Sequence, residues 1–127
     1  MYKMSLYELL EFILESIKVI QKRFSFIHSS DDFMQDDSGL EKLDSIIMRI
    51  QTIGEALKNI DKHEKGFLES VAPSEYWSNI IKLRDLISHH CVDIDLETIF
   101  MICDEKLDDL EDKISVLLGR AKESNKQ

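Results

Sequence analysis

Proline occurs once, at Pro73, and glycine only four times in 127 residues. A β-sandwich or barrel of this length reverses the chain often and draws on both residues, so their scarcity excludes those architectures and favours helices. Cysteine occurs twice, at Cys91 and Cys103, with no C-x-x-C and no histidine or cysteine at zinc-ligand spacing. That argues against a structural metal and for two free, partly buried thiols in a reducing compartment. No uninterrupted apolar run approaches the roughly 20 residues of a membrane span. Glu8, Glu11 and Glu15 break up the N-terminal apolar residues, and no small-residue cleavage site follows, so no signal peptide is expected and the expected location is cytoplasmic. Positive charge is also short, with 16 basic residues against 25 acidic ones and a net charge of −9. Such a balance excludes passive, surface-wide binding to nucleic acid or membrane, which depends on excess Lys and Arg. Any anionic substrate must be met locally.

What the chain does have is apolar periodicity. Ser5 and Glu8 form a capping box, with Met4 and Leu9 as a staple, ahead of Leu6, Leu9, Leu10, Ile13, Ile17, Ile20, Phe24 and Ile27 at helical steps. Residues 29–38, with Asp31, Asp32, Asp36 and Asp37 around Phe33 and Met34, read as an exposed connection with one short helical turn. Ser38 and Glu41 suggest a second capping box before the stripe Leu40, Leu43, Ile47, Ile50, Gly54, Leu57, Ile60. A polar loop over 61–73 contains Gly66 and Pro73; a third helix then runs from Ser74 to about His89. Asp95 caps a fourth, carrying Leu96, Ile99, Phe100, Cys103, Leu107, Leu110, Ile114, Leu117 and Leu118, with a break near Asp104 and fraying after Gly119. The expected fold is all-α: an antiparallel up-and-down four-helix bundle with a short extra helix or helix break. Residues 1–120 form one domain in this reading, and 121–127 a polar tail. There is no internal repeat, Gly-rich phosphate loop, Ser-His-Asp pattern or H-E-x-x-H. The acidic clusters at 31–44 and 104–112 fit no EF-hand loop and read as solvated helix faces or starts.

The third helix concentrates the chemistry. At about 100° per residue, Trp77, Ile80, Ile81, Arg84, Ile87 and Ser88 share one face, with Arg84 in its middle. An unpaired guanidinium in an apolar contact costs several kcal/mol, so Arg84 must meet a carboxylate, backbone carbonyls or a phosphate-sized group. Gly54 interrupts the second helix's stripe, where glycine costs about 1 kcal/mol relative to alanine. Its expected use is close approach of the third helix, with Glu55 balancing Arg84 across the gap. Asp85 and His89 are four residues apart, so the carboxylate can hold one imidazole nitrogen and raise the share of imidazolium near neutral pH. Lys82 and His90 add positive character, and Asp85 is the only acid between Tyr76 and Val92. Each feature taken singly also fits a structural ion pair, a surface pair or a helix cap.

The run Arg84-Asp85-Leu86-Ile87-Ser88-His89-His90-Cys91 resembles the R-(N/D/H)-x-x-x-H motif of HEPN-domain ribonucleases. Its surroundings resemble the HepT branch: Ile53-Gly54-Glu55-Ala56-Leu57-Lys58 is similar to the I-G-E-A segment, Trp77-Ser78-Asn79-Ile80-Ile81 to W-x-x-I-x, and Asp95-Leu96-Glu97-Thr98-Ile99 to D-L-x-x-I. R-x-x-x-x-H alone is common by chance, whereas four segments in order and at compatible spacing are specific, and the resemblance covers about residues 6–118. The resemblance implies a bundle that forms a homodimer with a composite cleft between motif helices. It also implies a metal-independent endoribonuclease toxin without cofactors, paired with a small nucleotidyltransferase antitoxin of the MntA type. By the same resemblance Arg84 binds the scissile phosphate, His89 moves protons during attack of the ribose 2′-hydroxyl, and Asp85 orients one of them. Lys82 and His90 are the expected additional RNA contacts. The family's longer motif ends in a tyrosine that the antitoxin modifies with AMP; here that position is Cys91, a departure that favours control by binding. Cys91 and the acidic balance also keep an alternative open: a non-catalytic module that binds a nucleotidyltransferase or a nucleotide.

Overall fold

A computed structural model describes residues 4–89 and 95–125, and of residues 85–89 and 124–125 the backbone alone. It contains six α-helices and no strand among the described residues: α1 (Leu6–Phe24), α2 (Asp32–Gln35), α3 (Asp37–His63), α4 (Ser74–His89), α5 (Leu96–Met101) and α6 (Leu107–Asn125). A π-helical turn over Ile102–Lys106 joins α5 to α6 at the break expected near Asp104. The all-α bundle is therefore the observed fold.

The capping box of α1 forms as its residue types predict. Ser5 Oγ accepts the Glu8 N–H and Glu8 Oε1 accepts the Ser5 N–H, both at 3.1 Å. Leu10, Ile13, Ile17 and Ile20 then point inward with no exposed surface. They meet Leu43, Ile46, Ile50, Ile53, Leu57 and Ile60 of α3 and Ile114 and Leu117 of α6 in one core. Each such side chain contributes about 1.5–3 kcal/mol on burial, which is what holds otherwise marginal helices in place. Helix α3 packs against both α1 and α4, and α1 packs against α6, so the four long rods run in the order α4, α3, α1, α6.

Four expectations need correction. The N-cap of α3 is Asp36, whose Oδ1 accepts the Gly39 N–H at 2.8 Å; Ser38 lies inside the first turn and accepts from Lys42 Nζ at 2.6 Å. The cause is tertiary. Phe33 is fully buried, so the connection is anchored rather than simply exposed, and α2 lies so close that a Cβ at Gly39 would overlap the Asp32 carbonyl. Helix α6 continues past Gly119 to Asn125, because Ala121 is buried and Arg120 Nη1 donates to the Ser70 carbonyl at 2.8 Å. The loop before α4 is not wholly polar either. A 3₁₀ turn at Leu68–Ser70 buries Leu68, and Trp77 Nε1 donates to the carbonyls of Leu68 at 2.8 Å and Ala72 at 3.2 Å. The indole thus fastens the loop to the start of α4.

At the other end of the chain's last connection, Asp95 caps α5 as expected, its Oδ1 accepting the Glu97 N–H at 3.0 Å and its Oδ2 the Thr98 hydroxyl at 2.9 Å. The neighbouring π-helical turn buries Cys103. Burial, assisted by Asp104, pushes that thiol up to about 12. In the unfolded chain it returns to the model-peptide value of 9.0, so the folded form holds its proton more tightly and the resulting stabilisation is lost as pH rises from 9 towards 12. Because the thiolate is the nucleophile, Cys103 in the native protein should stay unmodified by iodoacetamide at pH 8 and react fully in denaturant. Peptide mapping by mass spectrometry resolves it from Cys91; rapid native alkylation at Cys103 would show the burial to be wrong.

Candidate functional site at the α3–α4 seam

Arg84 lies where α4 crosses α3, directly over Gly54. A methyl group at position 54 would overlap Arg84 Cβ and sit 2.8 Å from Arg84 Cγ and 3.7 Å from Arg84 Cα. The glycine therefore lets the arginine's aliphatic stem lie against the α3 backbone, the close approach its place in the stripe suggests. The next residue completes the arrangement: Glu55 Oε2 is 2.6 Å from Arg84 Nη2. The Arg84 side chain is 26% exposed and that of Glu55 55%, so the pair lies at the seam partly open to solvent. A pair this exposed adds at most a modest amount to stability. Its consequence is geometric, since the stem and head of Arg84 are both referred to adjacent residues of α3.

The other expected site residues divide between this seam and its surroundings. Lys82 lies two residues before Arg84, about 200° around the α4 axis from it. Lys82 is exposed and lines a shallow groove with Asp61, Glu69 and Glu75, so its immediate surroundings are acidic. Asp85 and His89 belong to the last turns of α4; their side chains lie outside the described residues, as do His90 and Cys91 altogether. The structure thus brings Arg84, Gly54 and Glu55 together, while Lys82 lines a separate groove with acidic residues.

A second polar group, invisible to sequence periodicity, bridges α4 and α6. The Tyr76 hydroxyl donates to Asp109 Oδ2 at 2.9 Å; Lys113 Nζ bonds the same carboxylate at 2.8 Å and lies 4.7 Å from the centre of the Tyr76 ring. Burial first, then the adjacent Asp109, holds the Tyr76 phenol well above its ordinary value, so it is a permanent donor rather than a base. Lys113, followed by Tyr76, holds the Asp109 carboxyl below the usual range. The Asp109–Lys113 spacing is legible as an i,i+4 pair, but its cross-helix partner depends on bundle register. Among the described residues no three His, Cys, Asp or Glu side chains are gathered as a metal site, and no helix is long and apolar enough to cross a membrane.

Comparison with known proteins bears on the whole bundle. No curated protein and no solved structure matches the chain. The family model described as Ribonuclease HepT-like matches residues 3–117, spanning α1 through most of α6 and including Gly54, Glu55, Arg84 and His89. With nearly its full length so matched, the chain belongs to the HepT-like ribonuclease family.

Proposed function

We propose that this protein is an endoribonuclease that cleaves RNA through the substrate's own 2′-hydroxyl, as the toxin half of a pair with an MntA-like nucleotidyltransferase antitoxin. The observation that carries the reading is Arg84, sheltered at the α3–α4 seam with its guanidinium aimed by Gly54 and Glu55, within the stretch the family model covers. In the reaction a bond forms between the 2′-oxygen and phosphorus, and the bond from phosphorus to the 5′-oxygen breaks. The 2′-hydroxyl must lose a proton and the departing 5′-oxygen must gain one, while charge accumulates on the phosphoryl oxygens. His89 moves the protons and Arg84 stabilises the charge, roles that need no bound metal or other cofactor. Asp85, one turn before His89, fixes the imidazole tautomer and favours its charged form.

Five residue steps lead from Arg84 to His89, about 7.5 Å along the helix axis. A homodimer with its motif helices opposed brings two copies of each residue to one cleft, so base and acid can come from different subunits. It also doubles the local positive charge against a net −9 per chain. Lys82 and His90 then extend RNA contact along the cleft. Cys91, standing where the family has its modified tyrosine, favours inhibition by antitoxin binding over AMP transfer at that position.

The test is cleavage of RNA by the purified protein in excess EDTA. Products ending in 2′,3′-cyclic phosphate and 5′-hydroxyl are expected, and a fully 2′-deoxy analogue should stay intact. Intact RNA, or products ending in 3′-hydroxyl, would remove the mechanism. Stable co-purification with a nucleotidyltransferase and no cleavage under any condition would favour the non-catalytic module that Cys91 also fits.

A further inference from the structure

We infer that Gly54 and Glu55 form a positioning cradle for Arg84, in which Glu55 is a resident counter-ion that an RNA phosphate must share or displace. The inference rests on the nuclease reading for its kinetic part, but its binding part stands apart from it. Two independent features meet here. The stem of Arg84 lies so close to α3 that even a methyl group at position 54 would overlap it. The head is met by a carboxylate one residue further along the same helix, at 2.6 Å.

Flexible arginine side chains lose conformational entropy when a ligand fixes them. A guanidinium already held by its stem and one carboxylate has lost part of that freedom before the substrate arrives. The guanidinium carries five N–H donors, and one carboxylate engages at most two of them, so Glu55 can aim Arg84 without using its whole donor set. The same carboxylate also lowers the local positive potential. It therefore acts in two opposite ways: it weakens phosphate binding through charge and improves cleavage through placement. Glu55 touches Arg84 rather than the reacting atoms, which makes it a positioning residue.

Opposed effects give a signature that mere loss of structure does not. Binding is read by fluorescence anisotropy with a fully 2′-O-methylated oligoribonucleotide, which cannot react. Glu55→Gln and Glu55→Ala should both bind it about threefold more tightly than the wild type. Glu41→Gln removes an exposed charge near the start of α3 and should leave affinity unchanged. The gain from Glu55→Gln should vanish when Arg84→Gln is already present, which places the effect at Arg84. With cleavable RNA, Glu55→Gln keeps an acceptor and should hold kcat within about threefold, whereas Glu55→Ala should lose about tenfold.

Unchanged or weaker binding by both Glu55 variants would overturn the counter-ion role, and equal kcat for Gln and Ala would overturn the positioning role. If the wild type cuts no RNA, the nuclease reading falls by itself, and the anisotropy series still decides whether Glu55 opposes anion binding at Arg84.

Discussion

Arg84→Ala and His89→Ala should each reduce RNA cleavage by at least about a hundredfold, for different reasons that separate in binding. Positioned proton transfer is worth about 10²–10⁴ in rate, so His89→Ala should depress kcat while the 2′-O-methylated oligonucleotide binds nearly as before. Arg84 contacts the phosphate in both ground and transition states, so Arg84→Ala should weaken that binding and also slow the chemical step, where one lost charge-stabilising donor costs about 10²–10³. Arg84→Lys is a sharper test than Ala. Lysine preserves the Cβ–Cγ stem that lies on Gly54 and preserves the positive charge, but it replaces a planar fork by a compact ammonium. It should therefore fold normally, bind RNA and remain deficient in turnover. Initial rates in EDTA, with enzyme in excess and folding checked by circular dichroism, measure all three. Activity within about threefold of wild type in either alanine variant would sink the role assigned to that residue.

That the key contact could be read from sequence follows from the kind of information helices carry. A glycine in an otherwise apolar stripe signals that something needs the space of a missing side chain. An arginine centred on the apolar face of the next long helix signals a cation in need of a partner. Gly54, Glu55 and Arg84 meet because both signals lie on facing stripes of adjacent antiparallel helices. The caps at Ser5 and Asp95 were legible for a similar reason, since their partners are only two or three residues away.

Features decided by register between distant elements were not. Asp36 caps α3 in preference to Ser38 because Phe33 is buried in the core and pulls α2 down against Gly39, a choice that no local spacing encodes. Gly119 does not end α6 because Ala121 finds core to pack in and Arg120 reaches a carbonyl of the loop before α4. The union of Tyr76 with Asp109 likewise depends on how α4 and α6 slide past one another. Local chemistry, read alone, names the candidates for such contacts but not the pairs.

The same seam supplies a stability effect of its own in Gly54→Ala, because Gly54 is buried against α4. In an exposed helix interior this change is favourable by about 1 kcal/mol, because alanine has the better helix propensity. Here the new methyl group would overlap Arg84 Cβ and lie 2.8 Å from Cγ. Those atoms are at the root of the side chain, so rotating the distal guanidinium does not relieve the contact and α4 must move away from α3. Overpacking of this kind costs about 1–3 kcal/mol and sometimes more. The propensity gain of about 1 kcal/mol offsets part of it, leaving a net loss of up to about 2 kcal/mol and a fall in Tm of up to several degrees for a domain of this size.

Gly119→Ala provides the internal comparison. It also lies within a helix, but a Cβ there meets no heavy atom within 4 Å, so that variant should gain about 0.5–1 kcal/mol. Opposite signs for two chemically identical substitutions, measured by thermal and urea unfolding, isolate the helix contact from intrinsic propensity. Activity should fall further than stability. Shifting α4 moves Arg84 relative to Glu55, and displacements near 1 Å cost up to about a hundredfold in rate even when the protein remains folded. If Gly54→Ala proved as stable as Gly119→Ala and cleaved RNA at the wild-type rate, close approach at this seam would set neither the fold nor the placement of Arg84.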